Sequence, residues 1–311
     1  MKKFLYKMII LTLPFFVINL CYVSTNYWKS ENNVRKFNSV PEGIQLANLG
    51  PSHTEFGLLY NDFSQYKAFN FALSAQPYFW DYSILQQYHQ NFVSNAVILL
   101  PICYFMVNAR TDDYNQIRPR YYRFLERKYF DKWNAKEFIQ YAKFPILSAG
   151  NKLFKIFNDI PVEEIDVFNT RTDHLEYDEL LEYCQQKYDD ATAPEFDKGE
   201  EGYQQNLAEV CQLVNLCLDK GLQPVLITVP ITTVLNDIYA EQSPNFFPTF
   251  YRFISDVQTQ FPNVPYFDYS HDTEFSPKFE LFADGDHLNV YGAREFTAHV
   301  VADLQEAGLL Q

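Results

Sequence analysis

The chain has 311 residues, 47% of them hydrophobic and 18% aromatic, which excludes a disordered protein and leaves ample length for a hydrophobic core. Its formal net charge of −14 argues against a nucleic-acid partner, because binding a polyphosphate normally requires a basic surface. The five cysteines include no Cys-x-x-Cys pair, so the sequence indicates neither a zinc site nor a redox motif. No metal constellation and no cofactor is expected.

The first residues, 1–28, predict a signal anchor. Lys2, Lys3 and Lys7 precede an apolar run over residues 8–23, and no small-x-small cleavage motif follows that run. The lysines are expected to stay cytoplasmic, which places the rest of the chain outside the membrane, in the periplasm or at the cell surface. A cleaved signal peptide is the alternative, and it predicts the same compartment.

Residues 40–311 predict an α/β domain, because short apolar runs alternate with amphipathic helical patterns. The predicted strands are 44–49, 68–73, 96–103, 224–229 and 264–268. The predicted helices are 80–90, 207–218, 250–261 and 293–304. Strands that are apolar almost throughout suit a mainly parallel sheet covered on both faces, so we expect a three-layer α/β/α sandwich.

A mostly helical insertion is expected at about residues 104–202, where the regular alternation stops and charged residues accumulate. These charges are interpreted as solvated faces, with a cap that shapes the substrate site as the alternative. Within the insertion, Arg118, Arg120 and Arg123 surround two tyrosines. That cluster is suited to an anionic sugar, and it is equally explained as one face of an exposed helix.

Ser52 follows a predicted strand and a sharp Gly50-Pro51 turn, and it stands at the start of the next helix. A serine at a strand-to-helix turn is typical of nucleophiles in acyl-transfer enzymes, since the helix N-terminus favours a developing oxyanion. Ser52 and Glu55 also form a capping box, Ser-x-x-Glu, in which both side chains would serve the helix end.

His287 is the candidate general base, and Asp284 is the candidate residue that orients it. A carboxylate three residues before an imidazole on a tight turn can accept from one ring nitrogen and leave the other for the serine proton. Asp286 competes for this role, but the side chains of direct neighbours point apart. Simple turn chemistry is the structural alternative for both aspartates.

The order of these pieces resembles the SGNH (GDSL-like) hydrolase superfamily, and most of all its membrane-anchored branch linked to O-acylation of surface polysaccharides. The likeness covers roughly residues 44–103 and 205–307. Its most specific part is Asp284-Gly-Asp-His287, while Gly50-Pro51-Ser52-His53 is a loose match to the Gly-Asp-Ser-Leu block. The resemblance implies Ser52 as nucleophile, His287 as base and Asp284 as orienter.

Two further family blocks, which build the oxyanion hole, are altered in this chain. Ala75 stands where the family has a glycine whose backbone N–H donates, and Cys103 stands where it has an asparagine side chain. A thiol is a poor donor. Gln76 and His53 are the candidates to complete the hole.

The sequence thus predicts a membrane-anchored, extracytoplasmic serine acyltransferase or esterase that acts on O-acetyl groups of a surface polysaccharide. A membrane protein that exports acyl groups is the partner a transferase would need. The alternative is a catalytically inactive relative that binds glycan or scaffolds polysaccharide assembly, which the altered oxyanion-hole residues would suit.

Overall fold

The chain, in a computed structural model, is described over residues 2–109, 117–158, 171–192 and 199–310. It forms two compact units. The first unit comprises Met1–Ser39 and Asn115–Val167, and the second comprises Val40–Tyr114 and Phe168–Gln311. The predicted insertion is therefore divided, since residues 115–167 group with the N-terminus.

The second unit contains a five-stranded parallel sheet in the order β2-β1-β3-β4-β5. The strands are β1 (Ile44–Asn48), β2 (Ala68–Asn70), β3 (Phe92–Pro101), β4 (Gln223–Thr228) and β5 (Tyr266–Asp268). The helices of the whole chain are α1 (Lys2–Ser24), α2 (Asn26–Ser30), α3 (Ser52–Gly57), α4 (Tyr78–Tyr88), α5 (Arg118–Tyr121), α6 (Ala135–Phe138), α7 (Tyr177–Thr192), α8 (Gly199–Asp219), α9 (Thr233–Gln242), α10 (Phe246–Gln260) and α11 (Val290–Glu306). The predicted α/β class with a parallel sheet flanked by helices is confirmed.

Both faces of the sheet are buried. Leu46 and Val97 point to one face, where they belong to one core cluster with Phe296 and Val300 of α11. Ala47, the next residue on β1, is fully buried as well. Because successive strand residues point to opposite faces, the second face is also covered by protein. Helix α8 contacts β4 and packs against α4 and α10.

The strand order sets where a site can form. In an open parallel sheet, ligands bind outside the carboxyl ends of the strands at the point where the strand order reverses. Here the chain moves outward from β1 to β2 and then returns to place β3 on the other side of β1. Ser52 and Cys103 follow the carboxyl ends of β1 and β3. Both residues are therefore at the reversal point.

The first unit holds the apolar N-terminal helix, as predicted. In the described part of the chain, Tyr6–Ser24 of α1 is the one helical segment long and apolar enough to cross a membrane, by length and composition. The predicted arginine cluster is not an exposed face, because Arg120, Tyr121 and Tyr122 are buried. Arg118 forms a two-point ion pair with Glu137, at 2.8 and 3.0 Å. Residues 110–116, 159–170 and 193–198 of the predicted insertion lie outside the described residues.

Gly50 makes the sharp turn between β1 and α3. Its φ is +107°, in the region that favours glycine, and its amide donates to Asp81 Oδ1 at 2.8 Å. A Cβ at this position would overlap the ring of Pro101 and lie 2.8 Å from Thr54 Oγ1. Only glycine therefore fits the turn that delivers Ser52.

We predict that Gly50→Ala lowers the free energy of unfolding by about 2–4 kcal/mol, since backbone strain and a steric clash add. Gly221→Ala is the matched control, because Gly221 also has a positive φ (+69°) but has open space where the Cβ would lie. That control is expected to lose only about 1 kcal/mol. Urea unfolding of the full chain in detergent measures both. Equal losses would contradict the clash.

Candidate active site

Ser52 is the first residue of α3, and its Oγ lies 2.8 Å from His287 Nε2. The side chain is partly exposed, so a substrate can reach it. The capping box does not form. The N-cap is Pro51, which has no side-chain hydrogen bond, and the carboxylate of Glu55 accepts from the Ser74 hydroxyl at 2.5 Å. The Ser52 hydroxyl therefore faces the histidine.

His287 lies in the loop before α11, and its Nδ1 is 2.9 and 3.0 Å from the two carboxylate oxygens of Asp284. Asp284 Oδ1 also accepts from the backbone amides of His287, at 2.9 Å, and of Asp286, at 3.2 Å. Arg171 Nη1 lies 3.1 Å from Asp284 Oδ2. The loop thus wraps around the carboxylate and fixes its position beside the ring.

These contacts join three residues that the sequence singled out. Asp284 meets one ring nitrogen of His287, and Ser52 meets the other. An ionised carboxylate accepts the proton on Nδ1, which leaves the lone pair of Nε2 directed at the serine hydroxyl. Such an arrangement can remove the serine proton as the oxygen attacks an electrophile.

Asp286 forms a second, deeper ion-pair centre. Its carboxylate is 3% exposed and lies 3.0 Å from His53 Nε2 and 2.9 Å from Lys187 Nζ. Its other oxygen is 3.3 Å from His287 Nδ1. Burial would raise the pKa of Asp286, but His287, His53 and Lys187 outweigh it and hold that pKa well below its usual value. Asp286 is therefore ionised.

His53, which the sequence offers as a candidate oxyanion-hole donor, contacts Asp286 in this second centre. Burial lowers the pKa of His53, against the opposing influence of Asp286. The neutral ring accordingly donates its Nε2–H to Asp286. The ring stacks on Phe105, with centroids 5.0 Å apart, and lies 4.9 Å from the ring of His287. His53 supports the histidine's surroundings instead of facing the serine.

Gln76, the other candidate oxyanion-hole donor, contacts a buried carboxylate on the next helix. Its Nε2 donates to Asp81 Oδ1 at 2.7 Å, and the same oxygen accepts from the Gly50 amide. Both Gln76 and Asp81 are fully buried. Their role in the structure is to hold the turn before Ser52.

Ala75 and Cys103 differ in what they offer. Ala75 lies on an exposed turn with a φ of +54°, a left-handed conformation in which glycine is usual. Two residues earlier, the backbone amide of Leu73 donates to the Gly50 carbonyl at 3.1 Å, so this turn runs beside the serine. Cys103 is buried, and burial raises the pKa of its thiol. It lines a cavity of about 20 Å³ with His53 and Asp286, enough for one water molecule.

Two buried asparagines at the ends of β1 and β2 were not predicted. Asn48 donates to Asn70 Oδ1 at 3.0 Å. The Asn70 amide donates to the carbonyls of Thr54, Glu55 and Leu58 at 3.0–3.2 Å. These carbonyls are at the C-terminal end of α3, where helices leave acceptors unsatisfied. The sequence signal that could have identified them is an asparagine at the end of each of two neighbouring parallel strands.

Among the described residues, His53, Asp286 and His287 are grouped closely enough to offer three ligand atoms to a metal ion, within 4.8 Å of one another. Their atoms are already engaged, since Asp286 holds His53 and Lys187 while His287 meets Ser52. The ammonium group of Lys187 also opposes a second cation beside Asp286. The donor set fits an internal ion-pair network better than a metal site.

No protein-family model matches the chain, and no curated protein matches it. A solved structure that resembles it is a candidate acylhydrolase from Bacteroides fragilis NCTC 9343. The likeness covers 90% of this chain and 96% of that chain, with 10% identity and a TM-score of 0.41. A likeness this weak carries no argument about activity, so the chemistry follows from the side chains of this chain.

We predict that Asp286→Asn lowers the free energy of unfolding at neutral pH by about 2 kcal/mol, because the partly exposed Lys187 and the buried His53 both lose their ionised partner. A carboxylate with a depressed folded pKa stabilises above its unfolded pKa, and this stability is lost as pH falls through the folded pKa. The difference from the wild type should therefore persist down to about pH 4 and shrink below it. Urea unfolding across this range measures it.

Asp62→Asn is the control for this prediction. Asp62 is 61% exposed and meets Arg294 at 3.4 Å, so its loss should cost less than about 1 kcal/mol at every pH. An Asp286→Asn variant that is as stable as the wild type at neutral pH would contradict the stabilising role of the ionised Asp286. So would a loss that does not change with pH.

Proposed function

We propose that this chain is a serine esterase or acyltransferase of the SGNH (GDSL-like) type. The observation that supports the proposal is the hydrogen-bonded chain from Asp284 through His287 to Ser52. Ser52 and His287 are 235 residues apart in the sequence, and they meet where the strand order of the sheet reverses. The residue types and their order are those of a nucleophile, a base and an orienting carboxylate.

In the proposed reaction, His287 Nε2 takes the hydroxyl proton as Ser52 Oγ attacks the carbonyl carbon of an ester. The tetrahedral intermediate collapses, the bond to the alcohol oxygen breaks, and the imidazolium returns the proton to that oxygen. Asp284 stabilises the imidazolium throughout. Water then releases the acyl group from Ser52 in an esterase, whereas a sugar hydroxyl accepts it in a transferase.

The oxyanion hole is proposed to consist of the backbone N–H groups of Ser52 and Ala75. Ser52 is at the N-terminal end of α3, where backbone amides have no partner within the helix. Ala75 adopts the backbone conformation expected of the family's glycine. Cys103 removes the third donor of the family pattern, so a weaker oxyanion hole is part of the proposal.

The proposed substrate is an O-acetyl group on a neutral surface polysaccharide, with the second unit outside the cytoplasm. The second unit carries 9 Lys and Arg against 31 Asp and Glu, which disfavours a polyanionic acceptor. A transferase of this type needs an activated acyl donor, and a membrane protein that exports acyl groups is the proposed source. The candidate membrane helix α1 supports this placement.

We predict that the full chain hydrolyses p-nitrophenyl acetate, and that Ser52→Ala and His287→Ala each lower kcat by at least about 10³-fold. The reason is that each substitution removes a member of a unit that acts together. Spectrophotometric release of nitrophenolate measures the rate, and circular dichroism checks that each variant is folded.

Ser255→Ala and His299→Ala are the matched controls. Ser255 is exposed on α10, and His299 is on α11 away from the serine, near Asp272 and Asp303. Both variants should keep wild-type turnover. Unchanged activity in folded Ser52→Ala would refute the nucleophile assignment. No turnover by folded wild type would favour the non-catalytic glycan-binding alternative.

A further inference from the structure

The first unit exposes a group of large apolar side chains beside α1. Between residues 139 and 157, which we call the docked segment, the side chains of Ile139, Leu147, Phe154 and Phe157 are 47%, 55%, 65% and 80% exposed. The segment consists of short helical turns, Ile139–Lys143, Pro145–Leu147 and Gly150–Ile156. Exposed apolar side chains at this density mark a surface that contacts something other than water.

The docked segment packs on the middle of α1, not on its end. The ring of Phe144 lies 5.4 Å from that of Phe15 and 5.7 Å from that of Phe16. Both partners belong to Tyr6–Ser24, the part of α1 long enough to cross a membrane. Whatever solvent surrounds the middle of α1 therefore surrounds the docked segment too.

The rise per residue of an α-helix gives the depth of this contact in the membrane. Phe16 precedes Ser24 by eight residues, which corresponds to about 12 Å along the helix axis at the usual rise per residue. Half of the hydrocarbon thickness of a bilayer is about 15 Å. With Ser24 at the end of the membrane-spanning segment, Phe144, which contacts Phe16, lies well inside the leaflet on the Ser24 side.

Asn19 provides independent support. A polar side chain in the middle of an apolar helix is unfavourable in lipid unless it finds a partner. The Asn19 amide donates to the carbonyl of Lys143, and its oxygen accepts from the backbone amide of Ile146, both at 3.4 Å. The same contacts satisfy backbone groups at the junction of the turns Ile139–Lys143 and Pro145–Leu147, which lipid cannot do. Asn19 is 9% exposed, although most of α1 is open.

The charge of the first unit fits a membrane surface. Without Lys2, Lys3 and Lys7, which are expected on the cytoplasmic side, it carries 13 Lys and Arg against 8 Asp and Glu, a net charge of +5, whereas the second unit has a net charge of −22. Lys143, Lys152 and Lys155 lie within the docked segment. Basic side chains that flank an apolar face interact favourably with anionic lipid headgroups.

We propose that the docked segment is a second membrane contact, which lies in the same leaflet as the carboxyl-terminal half of α1. Ile139, Leu147, Phe154 and Phe157 contact acyl chains, and Lys143 and Lys155 reach the headgroups, while Lys152 pairs with Glu31 at 2.7 Å. The lipid bilayer is the occupant of this face because α1, on which it packs, presents the same apolar surface. The chain is thus held by a spanning helix and by an element that only enters one leaflet.

The test uses the full chain in vesicles of phosphatidylethanolamine and phosphatidylglycerol that contain a trace of diazirine-bearing phospholipid. After illumination, mass spectrometry maps lipid adducts to peptides. We expect adducts on α1 and on the docked segment, and none on the peptide around Leu218, which is 48% exposed in the second unit. Adducts on α1 alone would overturn the proposal. A docked segment covered by a second copy of the chain would take up no lipid, and that result would equally overturn the proposal.

A triple variant, Leu147→Glu, Phe154→Glu and Phe157→Glu, sharpens the result. Its lipid adducts on the docked segment should fall at least about tenfold relative to those on α1, because charged side chains are disfavoured in lipid. Leu218→Glu is the matched control and should change neither signal. The wild-type map decides the question even if the triple variant does not fold.

Discussion

The tight turn from Gly50 to Ser52 is the constraint on which the candidate site depends. A buried carboxylate, Asp81, accepts from the Gly50 amide at one side of the turn. A buried amide, Asn70, donates to three carbonyls at the far end of the short helix that begins with Ser52. With one end fixed to α4 and the other to β2, the serine oxygen keeps one position, and His287 can meet it at 2.8 Å.

Two aspartates and two histidines near that turn form an accessible pair and a deeper pair. Asp284 contacts His287 where the serine is accessible, and its loop is closed by backbone amides and Arg171. Asp286, deeper, is neutralised by Lys187 and accepts a hydrogen bond from the neutral ring of His53. An ionised group so close to a reacting histidine is tolerable only when it is paired, since an unpaired buried charge is strongly destabilising. The contacts of Asp286 with His53 and Lys187 thus stabilise the buried region next to Asp284 and His287.

Much of the fold follows from local sequence patterns, because buried strands are recognisable as runs of apolar residues. The five predicted strands are present. The contact of Asp284 with His287 was also predictable, since it spans three residues of one turn. The partners of Asp286 were not, because Lys187 comes from α7 and its arrival depends on tertiary packing. The partner of Gln76 was not predictable for the same reason, since the buried Asp81 is on the next helix. Side-chain roles that depend on distant partners leave no local pattern.

The most direct test of the central claim is to trap an acyl-enzyme. The full chain is mixed with p-nitrophenyl acetate, quenched in acid and digested, and the acetylated peptide is identified by mass spectrometry. The account predicts one acetyl group on Ser52, absent in Ser52→Ala and formed far more slowly in His287→Ala. Turnover with the acetyl group on another residue, or with equal rates in all three proteins, would contradict it.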